Sequence, residues 1–310
     1  MKSLVGYTGF VGSNLYENGA FDHAYNSKNI AEAFATKPEL LVYAGVRAEM
    51  FAANACPEKD AAQIAEAFAN IARIEPRRVV LISTISVYGE NPCGNEDSAI
   101  DECALTSYGK NRLWLEKAVA SECKNHLIVR LPALYGKNLK KNFIYDYIHV
   151  IPPLLKREKF AELSAQNVAL RDFYELQDSG FYKCRTLSRD ERAELISFFK
   201  SVGFSALTFT DSRSRYQFYN LRFLWGHIQT ALAHGLCTLN IATEPVSAGE
   251  VYAALEGATG KDFVNELAKP PFDQDLRTRH AALFGGADGY VFNKDFVLND
   301  INKFCRENSK

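Results

Sequence analysis

The residues with the plainest chemistry are glycines. Gly6, Gly9 and Gly12 recur at every third position of LVGYTGFVGSNL, between a strand-like run and a helix-like one. That order suits a pyrophosphate. The first glycine permits a tight turn, the second lets backbone approach the phosphates, and the third lets the helix pack against the strand. The phosphates would rest on the free N–H groups that open the helix, so Thr8, Phe10 and Val11 join the glycines as candidate cofactor contacts. A glycine turn with no ligand is the alternative. Downstream, Asn26, Ser27 and Lys28 stand where a carboxylate would bind the ribose hydroxyls of NAD. With no carboxylate there, and with Ser27 and Lys28 able to receive a 2′-phosphate, NADP is slightly favoured, against the reading of a solvated loop. A nucleotide diphosphate also calls for guanidinium groups. Arg47 in AGVRAEM follows the cofactor half's third strand-like run, and among Arg213, Arg215, Arg277 and Arg279 the preferred pair is Arg215 and Arg277. Each is equally readable as a surface ion pair. The histidines show no metal-ligand spacing, so no metal is expected.

The elements that must hold these groups alternate in type. Strand-like runs at residues 2–5, 22–26, 39–45, 77–84 and 126–131 are separated by helix-like segments, among them 57–73 and 108–121. Such alternation implies a parallel sheet covered by helices on both faces. The expected fold is α/β, a Rossmann-type doubly wound sheet over residues 1–150, with a returning strand near 235–243. A smaller mixed α/β substrate domain fills 151–310. Within it, SAGEVYAALEGATG reads as a helix opened by Ser247 with Glu250 three residues on. The segment from about Lys156 to Arg213 fits no unit of either part. It holds one clear helix, 187–203, with Ser188 as cap and Gly203 as stop. It is too long for an idle connection and is expected to act as a lid over the substrate or as an oligomer contact.

Composition excludes several classes. A net charge of −1 over 310 residues offers nothing to nucleic acid. Seven cysteines, an odd number with no CxxC pair, suit a reducing cytoplasm. The opening MKSLVGYTGF enters the glycine motif too soon for a signal peptide, and no apolar run approaches the ~20 residues of a membrane span. The expectation is a cytoplasmic protein without membrane association; a homodimer stays open.

The glycine loop, STISVYG (83–89), YGKNRLWLE (108–116) and RLPALYG (130–136) follow in the order and spacing of the extended short-chain dehydrogenases/reductases. The chain resembles that family over residues 1 to about 150, and again at SRYQFYNL and LNIATEPVSAGEV. The region around NSKNI is similar to dTDP-4-dehydrorhamnose reductase. The resemblance implies NAD(P)-dependent hydride transfer on a nucleotide-linked sugar, in surface-polysaccharide synthesis. Thr84 falls on the catalytic Ser/Thr and Tyr108 on the acid/base tyrosine. Ala44 and Gly45 fall on the loop that passes the cofactor, and Ser83 and Pro132 on further cofactor positions. Ser86, Tyr88 and Asn142 fall on the substrate side. One position departs: the family's lysine is Arg112. Residues four apart share a helix face, so Arg112 projects beside Tyr108 and Lys110 does not. Guanidinium supplies the cation and donors needed to hold a ribose and to lower the Tyr108 pKa. It exchanges no proton near neutral pH. Ile85-Ser86 stands where the family's dehydratases carry Asp-Glu, which argues against dehydration. Epimerase and ketoreductase both remain, and so does a non-catalytic, cofactor-binding regulator or assembly partner on the same fold.

Overall fold

The structure, a computed structural model, describes residues 1–178, 180–257 and 263–308. Six strands form the central sheet: β1 (Lys2–Val5), β2 (His23–Tyr25), β3 (Leu40–Tyr43), β4 (Val79–Thr84), β5 (His126–Leu131) and β6 (Thr238–Asn240). All pair in parallel, in the order β6-β5-β4-β3-β1-β2. The helices are α1 (Phe10–Asn18), α2 (Met50–Ala55), α3 (Pro57–Ile74), α4 (Ser107–Glu122), α5 (Phe143–Ile148), α6 (Arg157–Gln166), α7 (Arg189–Ser201), α8 (Leu224–Ala233), α9 (Ala248–Glu256) and α10 (Lys294–Asn308).

The apolar runs are continuous because the sheet is buried on both faces. Alternate residues of one strand enter different cores. Leu4, Val42 and Val80 join Leu15 of α1 and Ile228 of α8 on one side. Val5, Leu41 and Val79 join Ile64 and Ile71 of α3 and Val119 of α4 on the other. Tyr219 to Ile241, with α8 between them, also belong to the first of these cores, so the cofactor half draws on more of the distal chain than its returning strand. Strand order reverses at β1, whose neighbours β2 and β3 lie on opposite sides. A crevice opens at the carboxyl ends of β1 and β3, the place where open α/β sheets bind ligands.

The distal half has two further cores. Phe143 and Ile144 of α5, Val251 of α9 and Val297 and Ile301 of α10 pack with Phe218. Short ladders tie this part back to the first half: Phe218–Asn220 pairs with Ala133–Tyr135, and Asp275–Leu276 with Cys93–Gly94. The segment without counterpart is a unit with its own core of Leu155, Phe160, Leu163, Tyr174, Leu195 and Phe199. It comprises α6, α7 and a three-stranded antiparallel sheet. Ser188 and Glu191 form a full capping box on α7, and Ser247 and Glu250 another on α9. The expected continuation of α9 over residues 258–260 lies outside the described residues. Among the described residues, no helix is long and apolar enough to cross a membrane, and no cluster of side chains could hold a metal.

Candidate active site

A cavity of about 670 Å³ runs along the carboxyl ends of β1, β3, β4 and β5. Gly6, Thr8, Gly9, Phe10 and Val11 line one stretch of it. Gly6 has φ +91°, and a Cβ there would meet the Ala44 carbonyl oxygen at 2.5 Å. The turn therefore needs glycine twice over, for its left-handed backbone and for contact with the end of β3. At Gly12 a Cβ would stand 2.0 Å from the Gly6 oxygen. Gly12 presses α1 onto the loop and does not itself line the cavity. Gly9 is the N-cap of α1; it offers no side-chain cap, and the first turn holds no acidic residue. That helix end thus faces the cavity with its positive pole uncompensated.

Across the cavity stand Thr84, at the end of β4, and Tyr108 and Arg112 of α4. Thr106 caps the helix through Gly109 N–H, and the Tyr108 N–H donates to Asn54 Oδ1 at 2.9 Å. A Cβ on Gly109 would lie 2.6 Å from the Ser86 carbonyl oxygen. Gly109 is what lets α4 approach the 85–88 turn and brings Tyr108 towards Thr84. Arg112 is 4% exposed, with its guanidinium carbon 3.8 Å from the centre of the Tyr108 ring. Nη1 is paired with Asp60 of α3, Nη2 donates to the Arg47 carbonyl at 2.7 Å, and Nε has no partner.

The Tyr108 pKa lies above its ordinary value, against the expectation of a lowered one. Burial is the largest cause. The Arg112 charge and the Thr84 hydroxyl both favour the tyrosinate, but Asp60 opposes them. Arg112 is therefore the expected neighbour of Tyr108, with its charge opposed in part by Asp60.

Of the other positions singled out from sequence, Ser27, Ala44, Gly45, Arg47, Ser83 and Pro132 line the same cavity. Lys28 is exposed and outside the lining. Ser86 accepts from the Thr84 hydroxyl at 3.2 Å, just outside it. The remaining substrate candidates are committed elsewhere. The Tyr88 hydroxyl accepts from Arg130 and Asn240 and donates to the Asn95 carbonyl. Asn142 caps α5, accepting from Tyr145 N–H at 3.0 Å and donating to the Leu134 carbonyl at 2.8 Å, so both ends of its amide serve the fold. Arg215 pairs with Asp273 at 2.6 Å. Arg277 donates to the Asp288 carbonyl, lies over Tyr290 and lines a separate surface cavity. The preferred arginine pair thus does not reach the main cavity. No described residue of the 156–213 segment lines it either.

Sequence reasoning missed Asp60, which is buried, lines the cavity and holds Arg112. In sequence it reads as an acidic residue in the first turn of a helix, where the dipole alone explains it. It also missed Glu116, whose carboxylate takes Arg130 and the Ser83 hydroxyl, the latter at 2.5 Å.

Comparisons with known proteins bear on the fold that holds this site. The family model described as RmlD substrate binding domain matches residues 4–156. A comparison with curated proteins gives no match. Among solved structures, dTDP-4-dehydrorhamnose reductase from Bacillus anthracis in complex with NADP is 14% identical, with 99% of this chain and 97% of that one covered and a TM-score of 0.63. RMD from Pseudomonas aeruginosa complexed with NADPH is 12% identical, with 99% and 98% covered and a TM-score of 0.63. A UDP-galactose 4-epimerase is 14% identical, with 99% of each chain covered and a TM-score of 0.58. At these identities the structures speak for the fold. Residues 4–156 match that family model, and the chain shares the fold of these reductases and epimerases, the Rossmann-type fold expected from the sequence.

Proposed function

We propose that the chain is an NAD(P)-dependent oxidoreductase or epimerase acting on a nucleotide-linked sugar, with NADP favoured, and that it serves surface-polysaccharide synthesis. The observation that carries this reading is convergence: Thr84, Tyr108 and Arg112 face the same cavity as the glycine loop. The residues present fit a dinucleotide. The cavity is within the range of small-molecule sites. The α1 N-terminus is open to a pyrophosphate. The unpartnered Arg112 Nε is a buried donor that lacks an acceptor, and a ribose hydroxyl would supply one. Ser27, with Lys28 near it, supports a 2′-phosphate, as do the NADP and NADPH bound to two structural relatives.

The bound nicotinamide would supply or accept the hydride. The chain's own part is to hold and move a proton. Tyr108 Oη exchanges it with the substrate oxygen, and Thr84 Oγ1 hydrogen-bonds the same oxygen. Arg112 stays charged and steadies the tyrosine ring without entering proton exchange. Arg47, exposed at the cavity, is the remaining candidate for the substrate's phosphates.

Calorimetric titration with NADP and NAD tests the reading, together with cofactor absorbance against a panel of UDP- and dTDP-sugars. NADP is expected to bind, and Gly9→Val to weaken it at least tenfold by filling the pyrophosphate's approach. Unchanged affinity in a folded Gly9→Val protein removes the loop as the site. One observation favours a second reading, a non-catalytic cofactor-binding regulator or assembly partner: the cation beside Tyr108 is already paired with Asp60. Tight NADP binding with no turnover on any sugar of the panel selects that reading.

A further inference from the structure

We infer, on the oxidoreductase reading above, that Asp60 is a positioning residue: by pairing with Arg112 it holds the guanidinium against Tyr108 and offsets part of its charge, which suits the site to give a proton to a carbonyl rather than take one from an alcohol. Three observations converge. The Arg112 Nη1 bond to Asp60 and the Nη2 bond to the Arg47 carbonyl fix the guanidinium at two points, on α3 and on the loop after β3. With both points held, the guanidinium carbon stands 3.8 Å from the centre of the Tyr108 ring and only Nε is left over. Asp60 is 6% exposed and also takes the Asn111 amide at 2.7 Å, so its carboxylate is itself held in place.

The electrostatic consequence follows from the groups that face Tyr108. Its own helix contributes the Arg112 charge, α3 the Asp60 charge and β4 the uncharged Thr84 hydroxyl. A lone buried cation would favour the tyrosinate; Asp60 takes part of that effect away, and burial, the largest cause, favours the neutral phenol. A neutral phenol is a general acid. In carbonyl reduction the hydride from reduced nicotinamide adds to the carbonyl carbon, the C=O π bond breaks, and its oxygen takes the Tyr108 proton. The tyrosinate so formed recovers a proton from solvent, and the Thr84 and Ser86 hydroxyls, 3.2 Å apart, offer a route that bypasses Arg112. An epimerase must first oxidise an alcohol, and that step needs the tyrosinate this arrangement disfavours. On this inference the site favours carbonyl reduction over epimerisation, two reactions that the motifs leave together.

The test reads the proton directly and needs no cofactor or substrate. Tyrosinate absorbance is titrated in the wild type and in Asp60→Asn, each against its own Tyr108→Phe counterpart. The wild type is expected to show no Tyr108 ionisation below about pH 10, the ordinary tyrosine value. Asp60→Asn, which keeps the shape and an acceptor but frees the Arg112 charge, is expected to bring ionisation down into that window by about one pH unit or more. Wild-type Tyr108 ionising below about pH 9 overturns the inference, and this arm holds even if Asp60→Asn does not fold. A folded Asp60→Asn, checked by near-ultraviolet circular dichroism, with no Tyr108 ionisation in the window also overturns it. As a second readout, reduction of a 4-keto nucleotide sugar by NADPH should show its alkaline limit moved down in Asp60→Asn with KM nearly unchanged. A preparation that turns over no sugar refutes the enzyme reading while the titration still decides the role of Asp60.

Discussion

Helix α4 carries two buried arginine–carboxylate pairs one turn apart, and the two are finished differently. Glu116 meets Arg130 of β5. Arg130 Nε and Nη2 donate to the carboxylate, Nη1 donates to the Tyr88 hydroxyl, and Ser83 adds a further donor to Glu116. Every group of that pair is used. Arg112 meets Asp60 of α3, but its Nε is left without a partner, and both side chains line the cavity. Desolvating charges is costly, so a folded chain normally saturates them. The saturated pair behaves as scaffold: it ties α4 to the sheet beneath it. The unsaturated pair keeps one buried donor in reserve at the place where the glycine loop would set a dinucleotide.

The comparison breaks first, if it breaks at all, on stability. Glu116→Ala strands Arg130 beneath α4 and is expected to cost about 3–5 kcal/mol, read from the urea midpoint at unchanged slope. Asp60→Ala strands Arg112 beside a cavity that water can enter, so its cost should be smaller, about 2–3 kcal/mol by the same measurement. Equal losses would mean that the cavity gives Arg112 no access to water and that the two pairs are equally structural.

The difference between the pairs was not legible in sequence, and the reason is distance along the chain. Asp60 and Arg112 lie 52 residues apart, on two helices whose amphipathic patterns explain each residue without the other. The strands were legible because burial on both faces leaves a continuous apolar run: VVLIST at β4 and HLIVRL at β5 fall within a residue or two of their expected bounds. The glycine loop was legible because its spacing is local, with Gly12 answering to the Gly6 carbonyl, although Gly6 itself answers to Ala44 at the end of the next strand of the sheet. Arg215 and Arg277 do not line the main cavity: charge alone selected them, and Asp273, 58 residues from Arg215, takes up the first. In the 156–213 segment only α7 announced itself, since three-residue strands such as Tyr174–Leu176 carry too little pattern to read.

Function should sharpen the contrast where stability blurs it. Arg112→Ala removes the reserved donor together with the ring's cationic neighbour. NADP affinity is expected to fall at least tenfold, about 1.4 kcal/mol, in a calorimetric titration of the folded variant. Wild-type affinity would leave Nε as an unexplained orphan rather than a cofactor contact.

The smallest effect is the most discriminating, because it falls on the residue shared by scaffold and cavity. Ser83 precedes Thr84 on β4, lines the cavity, and donates its hydroxyl to Glu116 at 2.5 Å. Its substitution by alanine takes one hydrogen bond from the saturated pair and leaves the Arg130 contacts intact. The expected loss is about 1 kcal/mol of stability, the ordinary worth of a hydrogen bond to a group that keeps its other partners. If the two pairs are independent, NADP affinity in the same preparation should change less than about threefold, under 0.7 kcal/mol. A tenfold loss of affinity with that small loss of stability would show that Glu116 acts on the cavity through Ser83. The pair assigned to the scaffold would then belong to the site, and α4 would present one extended network from Asp60 to Arg130 in place of two separate pairs.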